Sequence, residues 1–317
     1  MKTKITSLFG IEFPIIQGGL AYLADATLAA AVSNAGGLGQ ITATSLNCAA
    51  ALRDEIVKYK TLSNKPFGVN FAISRFSENY MHLLEVAIEM NVPVISITGG
   101  DPTPVFEKIK GTSIKTMVLV ADVRQAQKAE LLGADAVIAV GQEGGGHLGR
   151  TDIGTFVLIP RVVDSVSIPV IASGGIGDGR GLIAALALGA EGIEMGTRFI
   201  ATQECVLASQ GYKDNLISAK ETDTVVIKRT LKTPGRVLSS VYADKILELE
   251  AQGADYQTLK EYISGETNKK YILTGDSTQG YGWAGQVVGL IDDNPTIKDL
   301  FDRIIIQVNE FYNKNRI

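Results

Sequence analysis

The chain has 317 residues, 45% of them apolar, and a net charge of −4 with no basic run. That length and apolar share permit a large buried core in one or two domains, and the acidic balance argues against nucleic acid as a partner. Two cysteines without CxxC spacing, no apolar run near ~18 residues, and Gly10 and Glu12 breaking the N-terminal apolar stretch give no expected disulfide, zinc site, membrane span or signal peptide, so a cytoplasmic protein is expected.

The first predicted strand is the apolar run at 14–17, closed by Gly18 and Gly19. A helix at 28–34 stops at Gly36 and Gly37; a strand at 38–41 and a helix at 49–60 follow. FGVNF at 67–71 is a third strand, with a helix around 80–90 behind it. Strand four, 94–98, ends at Gly99 and Gly100; a helix near 104–110 and a fifth strand at 116–120 come next. Residues 123–132 are helical up to Gly133, 136–140 form strand six, and 156–165 the next helix. The stretch 168–200 supplies the last two strands, 170–172 and 192–195. Between them lies a helix, 179–188, with Asp178 as N-cap and Gly189 as stop. Eight continuous apolar strands alternating with eight helices over about 200 residues predict an α/β fold, a TIM (β/α)8 barrel rather than a doubly wound open sheet.

The rhythm changes near residue 208. Residues 213–221, 243–252 and 256–263 read as helices and 224–232 as a β-prone run. We therefore expect a barrel over 1–209 and a smaller, mainly helical unit over 210–275 near its mouth. The segment 276–317 should pack back on the barrel through a helix at 284–290 and an amphipathic helix at 296–312. GYGWAG at 280–285 formally matches GxGxxG, with 271–273 as a candidate strand before it. No acidic residue follows at the required distance and no βαβ unit surrounds it, so a dinucleotide fold is not expected. Tyr281 and Trp283 read as pocket or packing aromatics.

Barrel chemistry gathers at the carboxyl ends of the strands, and phosphates commonly sit after strands seven and eight. There the chain has Ser173-Gly174-Gly175 and Met195-Gly196-Thr197, two turns whose backbone N–H groups suit a phosphate. After strand six, VGQEGGGHLGR at 140–150 gives three glycines that leave room for a flat ligand, then His147. His147 reads as a general acid/base or a donor to substrate, against the plainer reading of a turn histidine. His82 reads as a surface residue. Asn70, at the end of strand three, can bond a heterocycle's edge; Gln17, Gly18 and Gly19 end strand one in the same way. Arg150, Arg198 and Arg236 are candidates for anion pairing, with a structural ion pair the simpler reading of Arg198. No metal-ligand cluster is evident.

PIIQGGL, GVNF, GQEGGGHLGR, IASGGIGDGRG, EMGTRF and WAGQVVGLIDD together resemble the nitronate monooxygenase (formerly 2-nitropropane dioxygenase) family along nearly the whole chain. That family is FMN-dependent, has a TIM barrel, and includes enoyl-[acyl-carrier-protein] reductase II and NADH:quinone reductases. The resemblance implies that Gly18, Gly19 and Leu20 line the isoalloxazine, with Asn70 at its edge. Val140 stands where related enzymes often carry a flavin-contacting glutamine, which leaves a backbone contact. Gly145 and Gly146 would pass close to the flavin, and Ser173, Gly174, Gly175, Met195, Gly196 and Thr197 would hold the FMN phosphate. His147 matches the family's active-site histidine. Leu119 stands where the quinone-reductase branch has a lysine, which counts against that activity. The implied reaction oxidises alkyl nitronates with O2 to carbonyl compounds and nitrite. The alternatives are NAD(P)H-dependent reduction of enoyl thioesters or quinones, and a non-enzymatic flavin-binding protein. A small-molecule substrate is the implied partner, with a homodimer left open.

Overall fold

The computed structural model describes residues 1–46, 48–73 and 79–315. Among the described residues, nine strands occur up to residue 195: β1 Ile15–Gln17, β2 Gly39–Thr42, β3 Phe67–Ala72, β4 Val94–Thr98, β5 Lys115–Val120, β6 Ala136–Val140, β7 Gly146–His147, β8 Val170–Ser173 and β9 Gly192–Met195. All except β7 belong to one parallel sheet in the order β1-β9-β8-β6-β5-β4-β3-β2. The sheet closes at Leu38, which donates to Ile15 O and accepts from Gln17 N, both at 3.0 Å. The result is the expected (β/α)8 barrel.

Strand alternation sends one set of side chains inward and the other against the helices. The interior begins with an apolar plug that includes Ile16, Leu38, Val94, Met117, Ala136, Ile138 and Ile171. Two residues beyond Leu38, Val94 and Ile171 the inward face turns polar at Gln40, Ser96 and Ser173, joined by Asn70 of β3 and Glu194 of β9, all buried, while β5 and β6 keep Leu119 and Val140. The outward face, with Ile41, Val69, Ile95, Val137, Ala172 and Ile193, packs into the main core under the helices.

Seven surrounding helices follow their strands as predicted, and Asp25, Asp122 and Asp178 cap three of them by accepting backbone N–H groups. The eighth does not. After β9 there is a single helical turn, Thr197–Ile200. The C-terminal helix Ile297–Asn315 fills the eighth place, packing on Gly179–Ala187 and Ala26–Asn34. Gln307 Oε1 accepts from Gly179 N at 2.7 Å. Phe301 fills the space left by Gly37 and meets the rings of Phe13 and Phe199.

Between these two elements lie the helices Gln210–Ser218, Val241–Ala251, Tyr256–Leu259 and Gly265–Thr274, and the strands β10 Thr224–Ile227 and β11 Gly235–Leu238. Ile227, Val237, Ala243, Ile246, Leu259 and Tyr281 form a small core of their own. Residues 271–273 are helical rather than a strand, because Tyr271 and Ile272 bury on one face of Gly265–Thr274. The helix expected at 284–290 is a 3-10 helix, Gln286–Leu290, begun at Gly285. No described helix is long and apolar enough to cross a membrane.

The packing of Phe301 makes it a test of the helix that completes the ring. Phe301→Ala should lower stability by about 3–5 kcal/mol, read from the urea midpoint at unchanged m-value. An unchanged midpoint would show that this helix does not contribute to closing the barrel.

Candidate active site at the barrel mouth

The predicted site residues gather at the carboxyl ends of the barrel strands. Asn70, 2% exposed, donates from Nδ2 to Ser96 Oγ at 2.9 Å. Its amide lies against Gly19, where a Cβ would come within 2.4 Å of it, so only glycine fits there. Gly18 N donates to Met195 O at 2.9 Å and its open face meets the Glu194 carboxyl. Leu20 is half-buried, with its end toward Gly196, and Val140 is half-buried at the top of β6.

Gly174 and Gly175 have φ of +98° and +75°, a turn open to few other residue types. Gly175 makes no hydrogen bond to other described residues. A Cβ at Gly196 would touch only Leu20, at 3.5 Å, and one at Gly146 would meet nothing within 4 Å. Open backbone at these positions suits a close-lying flat or anionic ligand. Three other predicted contacts are already engaged. Ser173 Oγ donates into the barrel to Glu194 Oε1 at 3.0 Å. Thr197 Oγ1 accepts from Gly285 N at 3.0 Å. The Met195 side chain packs outward in the main core, so only its backbone reaches the rim. Gly145 packs against the backbone of Ala284 and Gly285. The GxGxxG-like segment is therefore a brace between two glycine turns of the barrel.

His147 does not sit on a free loop. Gly146 and His147 form β7, which pairs with Gly235 and Arg236 of β11, in a sheet ordered β10-β11-β7. The residue is open to solvent, yet protein walls crowd the ring. Trp283 lies 5.0 Å away between centroids, and Lys228 Nζ is 3.1 Å from Nε2. Enclosure and then the Lys228 ammonium disfavour the imidazolium and lower its pKa. The open face tempers the desolvation, but both causes point to a neutral ring at neutral pH. Lys228 Nζ stands at Nε2, which leaves Nδ1 as the ring nitrogen open to a ligand.

Lys228 was invisible in the sequence pattern. It follows β10 as one lysine among many and is only 5% exposed. Its Nζ sits 5.0 Å from the Trp283 ring centroid. Burial pushes its pKa down to about 8, partly opposed by Glu250.

Each of the three arginines is held by protein partners, and only Arg198 is in an ion pair. Arg236 donates from Nε and Nη2 to Gln142 O, at 3.1 and 3.0 Å, and from Nη1 to Thr224. Arg150 donates to Lys232 O, and buried Arg198 pairs with Asp293. His82 is a surface residue facing Glu85. At the opposite end of the barrel, Lys4, Asp135, Pro169 and Glu191 line a shallow hollow of about 660 Å³. Lys4 and Glu191 pair within it, and the Thr3 and Ser7 hydroxyls that line it bond within the first helical turn. No group of His, Cys, Asp and Glu among the described residues could hold a metal ion.

The chain matches the nitronate monooxygenase family model over residues 2–79 and 72–307. It is 35% identical to a probable nitronate monooxygenase of Staphylococcus aureus strain JH9, with 98% of each chain covered. It is 34% identical to (3aS,4S,5R,7aS)-5-hydroxy-7a-methyl-1-oxo-octahydro-1H-indene-4-carboxyl-CoA dehydrogenase of Rhodococcus jostii strain RHA1, over 96% of this chain and 95% of that protein. The solved structure of FabK from Thermotoga maritima superposes with a TM-score of 0.93 at 40% identity, covering 100% of this chain and 99% of the other. The chain belongs to the nitronate monooxygenase family and is an oxidoreductase.

Glu194 offers a test of the mouth's electrostatics. Burial pushes its carboxyl up to about 7, against the opposing pull of the Ser173 hydroxyl. Between the unfolded value of about 4.5 and that raised value, the folded chain holds a proton that the unfolded chain has lost. Stability therefore falls as pH rises through this window, by up to about 3 kcal/mol. Glu194→Gln keeps an acceptor for Ser173 and removes the titration. Urea unfolding at pH 5 and pH 8 should show the wild type losing stability relative to the variant. Parallel pH dependence in both proteins would remove Glu194 as the cause.

Proposed function

We propose that this member of the nitronate monooxygenase family uses FMN to oxidise alkyl nitronates with O2, yielding carbonyl compounds and nitrite. The observation that carries this reading is the approach of His147 Nε2 to Lys228 Nζ at the barrel mouth, at 3.1 Å. A nitronate is an anion with its charge on two oxygens, and a donor backed by positive charge fits it better than it fits a neutral nitroalkane.

The residues present fit FMN. Gly175, free of protein partners and at positive φ, and the open face of Gly196 give a phosphate backbone to approach. The open backbone at Gly146 and the Gly18-Gly19 turn leave room for a flat ring, with the Asn70 amide beside it. The buried Gln40 Oε1 and Gln142 Oε1 have no hydrogen-bond partner among the described residues. When bound, FMN supplies the electron-accepting chemistry that amino-acid side chains lack. The protein's own part is to bind and orient the substrate. His147 donates to its oxygens, Trp283 walls the mouth, and Asn70, held by Ser96, keeps a polar edge in place.

A second reading is reduction of an enoyl thioester at the expense of NAD(P)H. The Rhodococcus relative, named as a carboxyl-CoA dehydrogenase, supports the thioester part of this reading. Its developing enolate is also an oxyanion, which the same donor would serve.

Anaerobic mixing separates the two. A nitronate should bleach the flavin absorbance, and later O2 should restore it with release of nitrite. Bleaching by NADH or NADPH, followed by reoxidation with an enoyl thioester and none by nitronate, would replace the first reading with the second. Heat-released cofactor should be FMN on chromatography, and a Gly175→Val, Gly196→Val double variant should purify as apoprotein. His147→Asn should cut kcat/KM on nitronates by about ten- to a hundred-fold, the scale of one hydrogen bond to a charged group, and on neutral nitroalkanes by no more than that. A loss confined to neutral nitroalkanes would restore His147 as a base.

A further inference from the structure

We infer that Lys228 is the residue that makes His147 a dedicated donor to oxyanions, by holding the ring in one tautomer and placing a positive charge behind it. The inference deepens the proposed function at the same site and rests on that reading for the identity of the substrate, though not for its test.

The geometry comes from three elements that the sequence keeps far apart. An ammonium has only donors. At 3.1 Å from Lys228 Nζ, His147 Nε2 is therefore the acceptor, and the proton of the neutral ring resides on Nδ1. Nδ1 has no hydrogen-bond partner among the described residues, and the residue is open to solvent. Lys228 is held for this task. It is one of four non-glycine residues at positive φ among those described, at +63°. A lysine in that region is strained and persists only where its surroundings demand it. Here Glu250 imposes the bend, accepting from Lys228 N at 2.7 Å, Thr230 N at 3.0 Å and Thr230 Oγ1 at 2.7 Å. The Trp283 face provides a second, weaker partner for the ammonium.

The charged surroundings offset this charge only in part. Glu250 faces Lys228 from the helix Val241–Ala251 and attracts the ammonium, but its oxygens bind backbone and hydroxyl donors and make no hydrogen bond to Nζ. Arg229 is paired with Asp152, Arg236 with the Gln142 carbonyl, and the Tyr281 hydroxyl donates to backbone carbonyls. The ammonium, buried and bonded only to a neutral ring, thus reaches the mouth through His147. The ligand class that follows is a planar oxyanion: a nitronate, a carboxylate or an enolate.

The test needs neither flavin nor turnover. The chain has two histidines, so in a His82→Gln background His147 gives a single imidazole signal in ¹⁵N-edited spectra. That signal should report the Nδ1–H tautomer and a pKa below the usual histidine range. Lys228→Met should raise the pKa toward the ordinary value and mix the tautomers, while Lys228→Arg should preserve both. Propionate, an unreactive carboxylate, titrated against the same signal should bind about ten- to a hundred-fold more weakly to Lys228→Met. Wild-type binding should weaken as pH rises through about 8, where the ammonium is lost, and Lys228→Arg should hold its affinity to higher pH. The single tryptophan's fluorescence and thermal melting check that each variant is folded, with Lys228→Gln taking the place of Lys228→Met if that variant does not fold. A folded Lys228→Met or Lys228→Gln protein with unchanged His147 titration, or with unchanged propionate affinity, overturns the inference. If nitronates prove not to be substrates while these shifts appear, the substrate reading fails and the role of Lys228 stands.

Discussion

Barrel closure at Leu38 is the constraint on which the remaining structure depends. Its two backbone hydrogen bonds, to Ile15 and from Gln17, join the first and second strands and leave the parallel sheet without a free edge. Once the sheet is closed, every strand delivers its carboxyl end to the same rim. Residues from positions 18 to 197 then meet there without any long-range sequence signal between them. Closure also fixes the inward face of each strand, so that an apolar plug lies below and a ring of amide, hydroxyl and carboxyl groups lies above.

The rim is not finished by the barrel alone. Among the described residues seven helices come in turn, and after Thr197–Ile200 the eighth helical place is filled only by Ile297–Asn315. The intervening segment reaches back to the loop after β6 and adds β7 to its own sheet. This pairing holds the His147 backbone in register with β11 and brings Lys228 and Trp283 to the imidazole. Gly285 meanwhile donates to Thr197. The inserted segment thus touches the mouth at several points, and its stability and the geometry of the histidine are linked.

Two buried ionisable groups mark the mouth, and each is tolerated for a different reason. Glu194 meets a single hydroxyl and is favoured in its neutral form. Lys228 keeps a hydrogen-bond partner that is itself neutral, together with an aromatic face, and Glu250 offsets part of its charge without bonding Nζ. An ordinary ion pair would have neutralised either one. Left as they are, they give the mouth a proton-holding floor and a positive wall, a polarity suited to anionic ligands.

Much of this protein was determined by its sequence alone. Continuous apolar runs ended by glycines mark parallel strands buried on both faces, because such strands have no solvent side to show. Hence the eight strands, their order, and the rim positions of Gly18, Gly19, Asn70, His147, Gly174, Gly175 and Gly196 were legible from local pattern. Only the tertiary structure decided the partners. Whether Ser173 Oγ turns inward, whether Arg236 is free, which helix completes the ring, and which cation stands behind His147 all depend on pairings between distant segments. Lys228 and His147 lie 81 positions apart, joined through β10, β11 and β7. No periodicity within either segment encodes that contact, since a strand's pattern specifies which face is buried but not which neighbour it meets.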